Sequence, residues 1–169
     1  DTLDIHSGGI DHIPVHHTNE IAQSEAATGK QFARHWLHSN HLLVDGQKIS
    51  KSLGNGIRID ELVQKGYTPE TFRLLVLESH YRSQARFSFD SLDAAQARLK
   101  DLQAMAVLRY QVREHAIDGT SFSFGDVPVE ITAQLANDLN TPEVLAYLSN
   151  VSRQIQAVLL WQKSLPYFE

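Results

Sequence analysis

The apolar pattern of this chain changes period partway along its length. From Phe89 onward Leu92, Ala95, Leu99, Leu102 and Ala106 recur at intervals of three and four, the spacing that lays one stripe along an α-helix. The pattern predicts a long amphipathic helix reaching to about His115. Ala116 to Gly125, with Gly119, Ser121 and Ser123, reads as a loop, and a shorter helix is expected around Val129 to Asn137. Asn140-Thr141-Pro142-Glu143 then caps a last helix whose Val144, Leu148, Val151, Ile155 and Val158 form a second stripe. Three helices with facing stripes make a small bundle. Before Phe89 the apolar runs are short and broken by glycine and proline. The expected class is therefore α/β turning mostly α.

The first half reads as strand, turn, helix. Leu3 to His6 is a β-type run, Ser7-Gly8-Gly9 allows backbone to approach a ligand closely, and a helix is expected from near His16 to about Thr28, with Gly29 ending it. Residues 31 to 44, with Phe32, His35, Trp36 and Leu37, read as a short helix end passing into a buried strand at Leu42-Leu43-Val44. Asp45-Gly46 is a strong two-residue hairpin turn, with Gln47-Lys48-Ile49 as the return strand. Ile57 to Lys65 reads as a short helix. Thr68-Pro69 starts another, with Phe72, Leu75 and Val76 on one face, ending near Ser79. His80-Tyr81-Arg82-Ser83 with Arg86 fits either a solvated connector or a contact to phosphate or RNA backbone.

A length of 169 residues is enough for one domain or two small ones. The absence of cysteine excludes a disulfide framework and any thiolate ligand or nucleophile from this chain, which fits a reducing compartment and a cytoplasmic location. No run of about 18 apolar residues occurs, so no membrane span is expected, and the polar start Asp1-Thr2-Leu3-Asp4 is not a signal peptide. A net charge of −5 argues against a generally sticky nucleic-acid binder. The charge is uneven, however. Residues 30 to 86 carry nine Lys/Arg against five Asp/Glu, whereas residues 1 to 29 carry five carboxylates and no Lys or Arg.

That positive excess surrounds Lys48-Ile49-Ser50-Lys51-Ser52. Two lysines three residues apart, interleaved with small hydroxyl residues and followed by Gly54-Asn55-Gly56, suit a loop that places two ammonium groups around a polyphosphate. A second candidate set lies upstream. His16 and Glu20, at i and i+4, fit either a hydrogen-bonded pair or two ligands of a zinc ion, which needs four in a closed site. His6 and Asp11 flank the glycines. Asp11 is placed to accept a hydrogen bond from a ribose hydroxyl or to cap a helix, and His6 equally fits a strand-end histidine.

Lys48 to Ser52 resembles the KMSKS signature of class I aminoacyl-tRNA synthetases, with Ile49 in place of methionine. Asp4 to Asp11, His16 to Glu25, Ser79 to Ser83 and Asn137 to Pro142 look like segments of the cysteinyl-tRNA synthetase family in the same order, and the resemblance covers most of the chain. Thr18 stands where that family usually has glutamate, and Ile13-Pro14-Val15 replaces its aromatic-proline approach to the histidines.

The resemblance implies the C-terminal part of a Rossmann-like class I catalytic domain ending near residue 56, a helical connecting region over 57–88 and a helical bundle over 89–169. It implies ATP with magnesium, cysteine and tRNA(Cys) as partners. Lys51 and, secondarily, Lys48 would be catalytic, with Ser50 and Ser52 beside them at the nucleotide. His6 would line the amino-acid pocket, Gly9 and Asp11 would approach the adenosine, and His16 with Glu20 would be half of a zinc site completed by cysteines upstream. The chain would then be a piece of a longer polypeptide extending at both ends. It is expected to be inactive alone, because the family's other signature, a histidine pair near the start of the catalytic domain, is absent from it.

Two alternatives share these segments. One is the cysteine ligase of mycothiol synthesis, which takes an amino-sugar acceptor. The other is a non-catalytic RNA-binding paralogue. The closer match of Asn19 to Glu25 to the synthetase pattern favours tRNA as acceptor.

Overall fold

The computed structural model describes residues 1–44, 46–48, 56–107 and 126–164, with backbone alone for Lys48 and residues 157–164. The chain forms two compact units: residues 1–57 with 81–88, and residues 58–80 with 89–169.

The first unit begins with β1 (Leu3–Gly9). A 3₁₀ turn (Ile10–His12) and a π-turn (Ile13–His17) follow it, leading into α1 (Thr18–Thr28). The helix stops at Gly29, whose φ of 65° lets its N–H return to the Glu25 carbonyl at 2.8 Å. Glu25 Oε1 also accepts from the Phe32 N–H at 3.0 Å, tying the helix to the start of β2 (Ala33–Ser39). β2 runs parallel to β1, in register from Leu3 opposite Ala33 to Gly9 opposite Ser39. This corrects the expectation of a helix end after residue 31. Phe32, Trp36 and His38 alternate with residues facing the other way, and pairing with β1 satisfies the backbone that a helix would otherwise satisfy locally.

β3 (Leu42–Val44) pairs antiparallel with β4 (Gln47–Lys48) through Gly46 at φ 77°, the expected hairpin, while its turn residue Asp45 lies outside the described residues. On its other side β3 pairs parallel with β5 (Ala85–Phe87), a strand that the sequence pattern did not indicate. Asn40 fixes that return: its N–H donates to the Tyr81 carbonyl at 2.8 Å and its Nδ2 to the Arg82 carbonyl at 3.2 Å. Ala33, Val44 and Phe87 are buried in this unit.

The second unit is helical: α2 (Ile59–Gln64), α3 (Pro69–Leu77), α4 (Phe89–Val107), α5 (Val127–Ala136) and α6 (Thr141–Ser164). Thr68 caps α3, its Oγ1 accepting from the Thr71 N–H at 3.3 Å, with Pro69 in the first turn as expected. The buried face of α3 is Thr71, Leu74 and Leu75 rather than Phe72, Leu75 and Val76; Val76 is 43% exposed. That face packs on α4, where Leu92 and Ala95 are fully buried. Further along the predicted stripe Leu99 and Leu102 are half-buried and Ala106 is exposed. α4 is described to Val107. Its expected continuation to His115 and the following loop lie outside the described residues.

α6 packs on both α4 and α5, and Val151 is buried on it. Between α5 and α6 both Asp138 and Leu139 take φ of 55°, the left-handed region. The turn is held from outside: His80 Nε2 donates to the Asp138 carbonyl at 2.9 Å, and Thr141 Oγ1 donates to the Leu77 carbonyl at 2.8 Å. Among the described residues no helix is long and apolar enough to cross a membrane.

Candidate functional site

The alternation of β1 places His6 and Gly8 on the face that β2 shares through Trp36 and His38, since His6 pairs with Trp36 and Gly8 with His38. The two turns after β1 then fold His12, His16 and His17 back toward that face. α1 adds Glu20 from its first turn. Five histidines and one carboxylate are thereby gathered where the strand ends.

Glu20 is the hub. His6 Nε2 donates to its Oε2 at 2.9 Å, His16 Nε2 lies 3.7 Å from Oε1, and His17 Nε2 lies 4.0 Å from Oε2. The hydrogen bond from His6 is the main reason that the Glu20 carboxyl is held below the usual carboxylate range, with the charges of His16, His6 and His17 acting the same way against the opposing effect of burial. The carboxylate is therefore deprotonated and available to a cation. His16 and Glu20 do face one another. His16, however, belongs to the π-turn and not to the helix, which starts two residues later than the sequence pattern implied. A π-turn widens the backbone locally, and here it lets the consecutive residues His16 and His17 share one cluster.

His17 is 3% exposed. Burial is the first cause of its lowered pKa, the charges of His38 and His6 are the next, and Glu20 acts in the opposite direction. A neutral imidazole is thus favoured. Its Nδ1 meets His38 Nε2 at 2.8 Å. When Nδ1 carries the proton and donates, the Nε2 lone pair is left facing the cluster. Trp36 closes the floor, its ring 5.0 Å from those of both His6 and His17 and parallel to His38 at 6.0 Å.

The glycines explain how the strand fits beneath these rings. A Cβ on Gly8 would lie 2.7 Å from His17 Cε1 and 2.9 Å from both His12 Nδ1 and His17 Nε2, and a Cβ on Gly9 would collide with Asp11 Oδ1. Asp11 also lies 3.7 Å from His41 Nε2. Among the described residues two sets of side chains bring their ligand atoms within 4.8 Å of one another, one being His6, His17 and Glu20, the other His12, His16 and His17. Nitrogen and carboxylate oxygen are donors that zinc takes readily, and each set offers three such atoms, so the residues present fit such an ion.

Of the residues singled out from the sequence, His6, Gly9, Asp11, His16 and Glu20 come together at this strand end. Lys48 lies in β4, described by backbone alone, and Ser50, Lys51 and Ser52 lie outside the described residues. His12, His17 and His38 were not singled out. The signal available was the density of histidine between residues 12 and 17 and the two-residue alternation of Trp36 and His38 along β2.

Residues 1–97 match the family described as the tRNA synthetases class I (C) catalytic domain. The chain is similar to a cysteine-tRNA ligase of Opitutus terrae, with 46% identity over 151 residues, which is 89% of this chain and 31% of that protein. It is also similar to one of Chlamydia pneumoniae, with 43% identity over 162 residues, 94% of this chain and 34% of that protein. The chain thus spans about a third of the length of these curated relatives. Among solved structures, the LeuRS of the Agrobacterium radiobacter K84 agnB2 LeuRS-tRNA-LeuAMS ternary complex shares the fold. Its TM-score is 0.66 at 18% identity, over 92% of this chain and 22% of that chain.

Proposed function

The chain belongs to the family of class I (C) tRNA synthetase catalytic domains, and from that premise we propose that it is part of a cytoplasmic enzyme that activates cysteine with ATP and transfers it to tRNA(Cys). The observation that carries the reading is similarity along nearly the whole chain to proteins named cysteine-tRNA ligase. On this reading residues 1–56 end a Rossmann-like catalytic domain, 57–88 connect it onward, and 89–169 belong to a helical bundle.

The first reaction is attack of the cysteine carboxylate on the α-phosphate of ATP, with pyrophosphate leaving. Little covalent chemistry falls to the protein in such a step, so its contribution is positioning and electrostatics. Asp11 accepts from a ribose hydroxyl, and Gly9 lets the backbone come close to the adenosine. Lys51, with Lys48 second, stabilises the charge that grows on the departing pyrophosphate, and Ser50 and Ser52 donate to its oxygens. Magnesium accompanies the ATP. His6 lines the amino-acid pocket, donating through Nε2 to Glu20 and so keeping the carboxylate ionised.

His16 and Glu20 would hold zinc together with cysteines from elsewhere in the polypeptide. Bound there, zinc would supply a Lewis acid that favours thiolate ligands. His17, Phe32 and Trp36 pack edge-on around His6 on the same face.

The test is cysteine-dependent ATP–pyrophosphate exchange by the longer polypeptide, followed by acceptor assays with tRNA and with an amino sugar. Exchange together with charging of tRNA upholds the reading. Exchange with transfer only to the amino sugar replaces it by the mycothiol-type ligase, and tRNA binding without exchange replaces it by a non-catalytic RNA-binding protein.

A further inference from the structure

β1 presents its last two glycines to opposite sides, as consecutive strand residues do. A Cβ on Gly8 would face the histidine cluster, whereas one on Gly9 would meet Asp11 Oδ1 first and His41 Cε1 next, at 3.9 Å. His41 therefore borders the groups read above as facing the nucleotide. We propose that His41 is a positioning residue for nucleotide recognition, its Nε2 holding the Asp11 carboxylate toward the ribose. The inference rests on the reading of Asp11 as the acceptor for a ribose hydroxyl.

The fold brings His41 to a fitting edge. β1 and β2 are parallel, and Gly9 pairs with Ser39 where both strands end. In open α/β sheets ligands bind beyond the carboxyl ends of the parallel strands. Asp11 lies just past that end of β1 and His41 just past that end of β2, so each strand delivers one member of the pair. The backbone beneath the imidazole is also pinned. The His41 N–H donates to Asn40 Oδ1 at 2.7 Å, and Asn40 is itself bound to the carbonyls of Tyr81 and Arg82.

His41 Nε2 lies 3.7 Å from Asp11 Oδ1, with the two side chains 29% and 51% exposed. With its proton on Nε2, the ring turns an N–H toward that oxygen whether it is neutral or charged. The separation is that of an ion pair rather than a hydrogen bond, and the Asp11 carboxylate accepts no hydrogen bond among the described residues. Asp11 is thus restrained while its lone pairs stay available to a hydroxyl. A pair this exposed contributes little to stability, so its effect is felt in where the carboxylate points.

The experiment measures binding of ATP, 2′-deoxy-ATP and 3′-deoxy-ATP by calorimetry to a protein carrying the whole catalytic domain. The parent should bind ATP about ten- to a hundredfold more tightly than one of the deoxy analogues, the scale of a hydrogen bond to a charged group. That preference should fall about two- to fivefold in His41→Phe, which keeps a ring without the donor, and return in His41→Gln, which restores one. Asp11→Ala should abolish the preference, and adding His41→Phe to it should change nothing further. His41→Ala replaces the phenylalanine variant should that one lose its helical circular dichroism. A parent without the preference overturns the proposal. So does a preference unchanged in His41→Phe, lowered equally in His41→Gln, or altered by His41→Phe when Asp11 is already alanine. Cysteine-dependent pyrophosphate exchange is followed in parallel. Exchange by a parent whose preference ignores His41→Phe defeats this inference alone, whereas the expected preferences without exchange defeat the synthetase reading alone.

Discussion

His17 and His38 share a hydrogen bond, Nδ1 to Nε2 at 2.8 Å, across 21 residues of chain. It joins the end of the π-turn to β2, and it is the partner that lets His17 be buried. Replacing His38 by alanine leaves the Nδ1 of His17 without that partner, which costs about 1 to 3 kcal/mol. Urea unfolding should show the midpoint fall accordingly. In a double-mutant cycle, adding His17→Ala to His38→Ala should cost less than the two single changes together. Full additivity would show that the two rings are energetically independent.

Gly8→Ala is expected to destabilise the first unit by about 1 to 3 kcal/mol, the usual cost of forcing an extra carbon into packed surroundings. The new methyl group meets the rings of His12 and His17. His12 is exposed and can swing away, but His17 cannot, so the midpoint of urea unfolding should shift. An unchanged midpoint would mean that the rings have slack above the strand.

Tyr67 donates its phenol to Asp93 Oδ1 at 2.6 Å. That hydrogen bond is the first cause, and burial the second, of a phenol pKa raised above 10.0. Because the folded value is the higher one, its contribution to stability is fully present below the unfolded value near 10 and is lost as the pH rises through the folded value. A difference absorbance titration of the parent against Tyr67→Phe should therefore place the phenolate midpoint above about 10. Asp93→Asn should bring the midpoint down. A midpoint indifferent to Asp93 would refute the cause assigned.

Under the proposed function, Lys51→Ala in a protein carrying the whole catalytic domain should lower the rate of cysteine-dependent pyrophosphate exchange by about a hundred to a thousandfold, the scale of one lost transition-state donor. The KM for ATP should change far less, because the role proposed for Lys51 is to meet charge that develops as pyrophosphate departs. A mutant that loses ATP affinity but keeps its turnover would make Lys51 a binding group.

Where local chemistry decided the structure, the amino-acid sequence was readable. Gly29 ends α1, Thr68-Pro69 starts α3, and Gly46 turns the hairpin, each because one residue has a conformation or hydrogen bond available that others lack. Where pairing with distant chain decided it, the pattern misled. Phe32 to Leu37 carries aromatic residues that suit either a helix or a strand, and only the neighbouring β1 selects the strand. Ala85–Phe87 is too short to announce itself and exists because β3 offers an edge. The candidate site divides in the same way. His16 and Glu20 were legible from their spacing, but the parts of His17 and His38 depend on β2 lying beside β1, which no local pattern reveals.

The histidine cluster, its carboxylate hub and the ring that braces it all come from residues 6 to 38, within one strand, the turns and helix after it, and the next strand. Its members are therefore encoded together, and a short deletion inside this stretch would remove several of them at once.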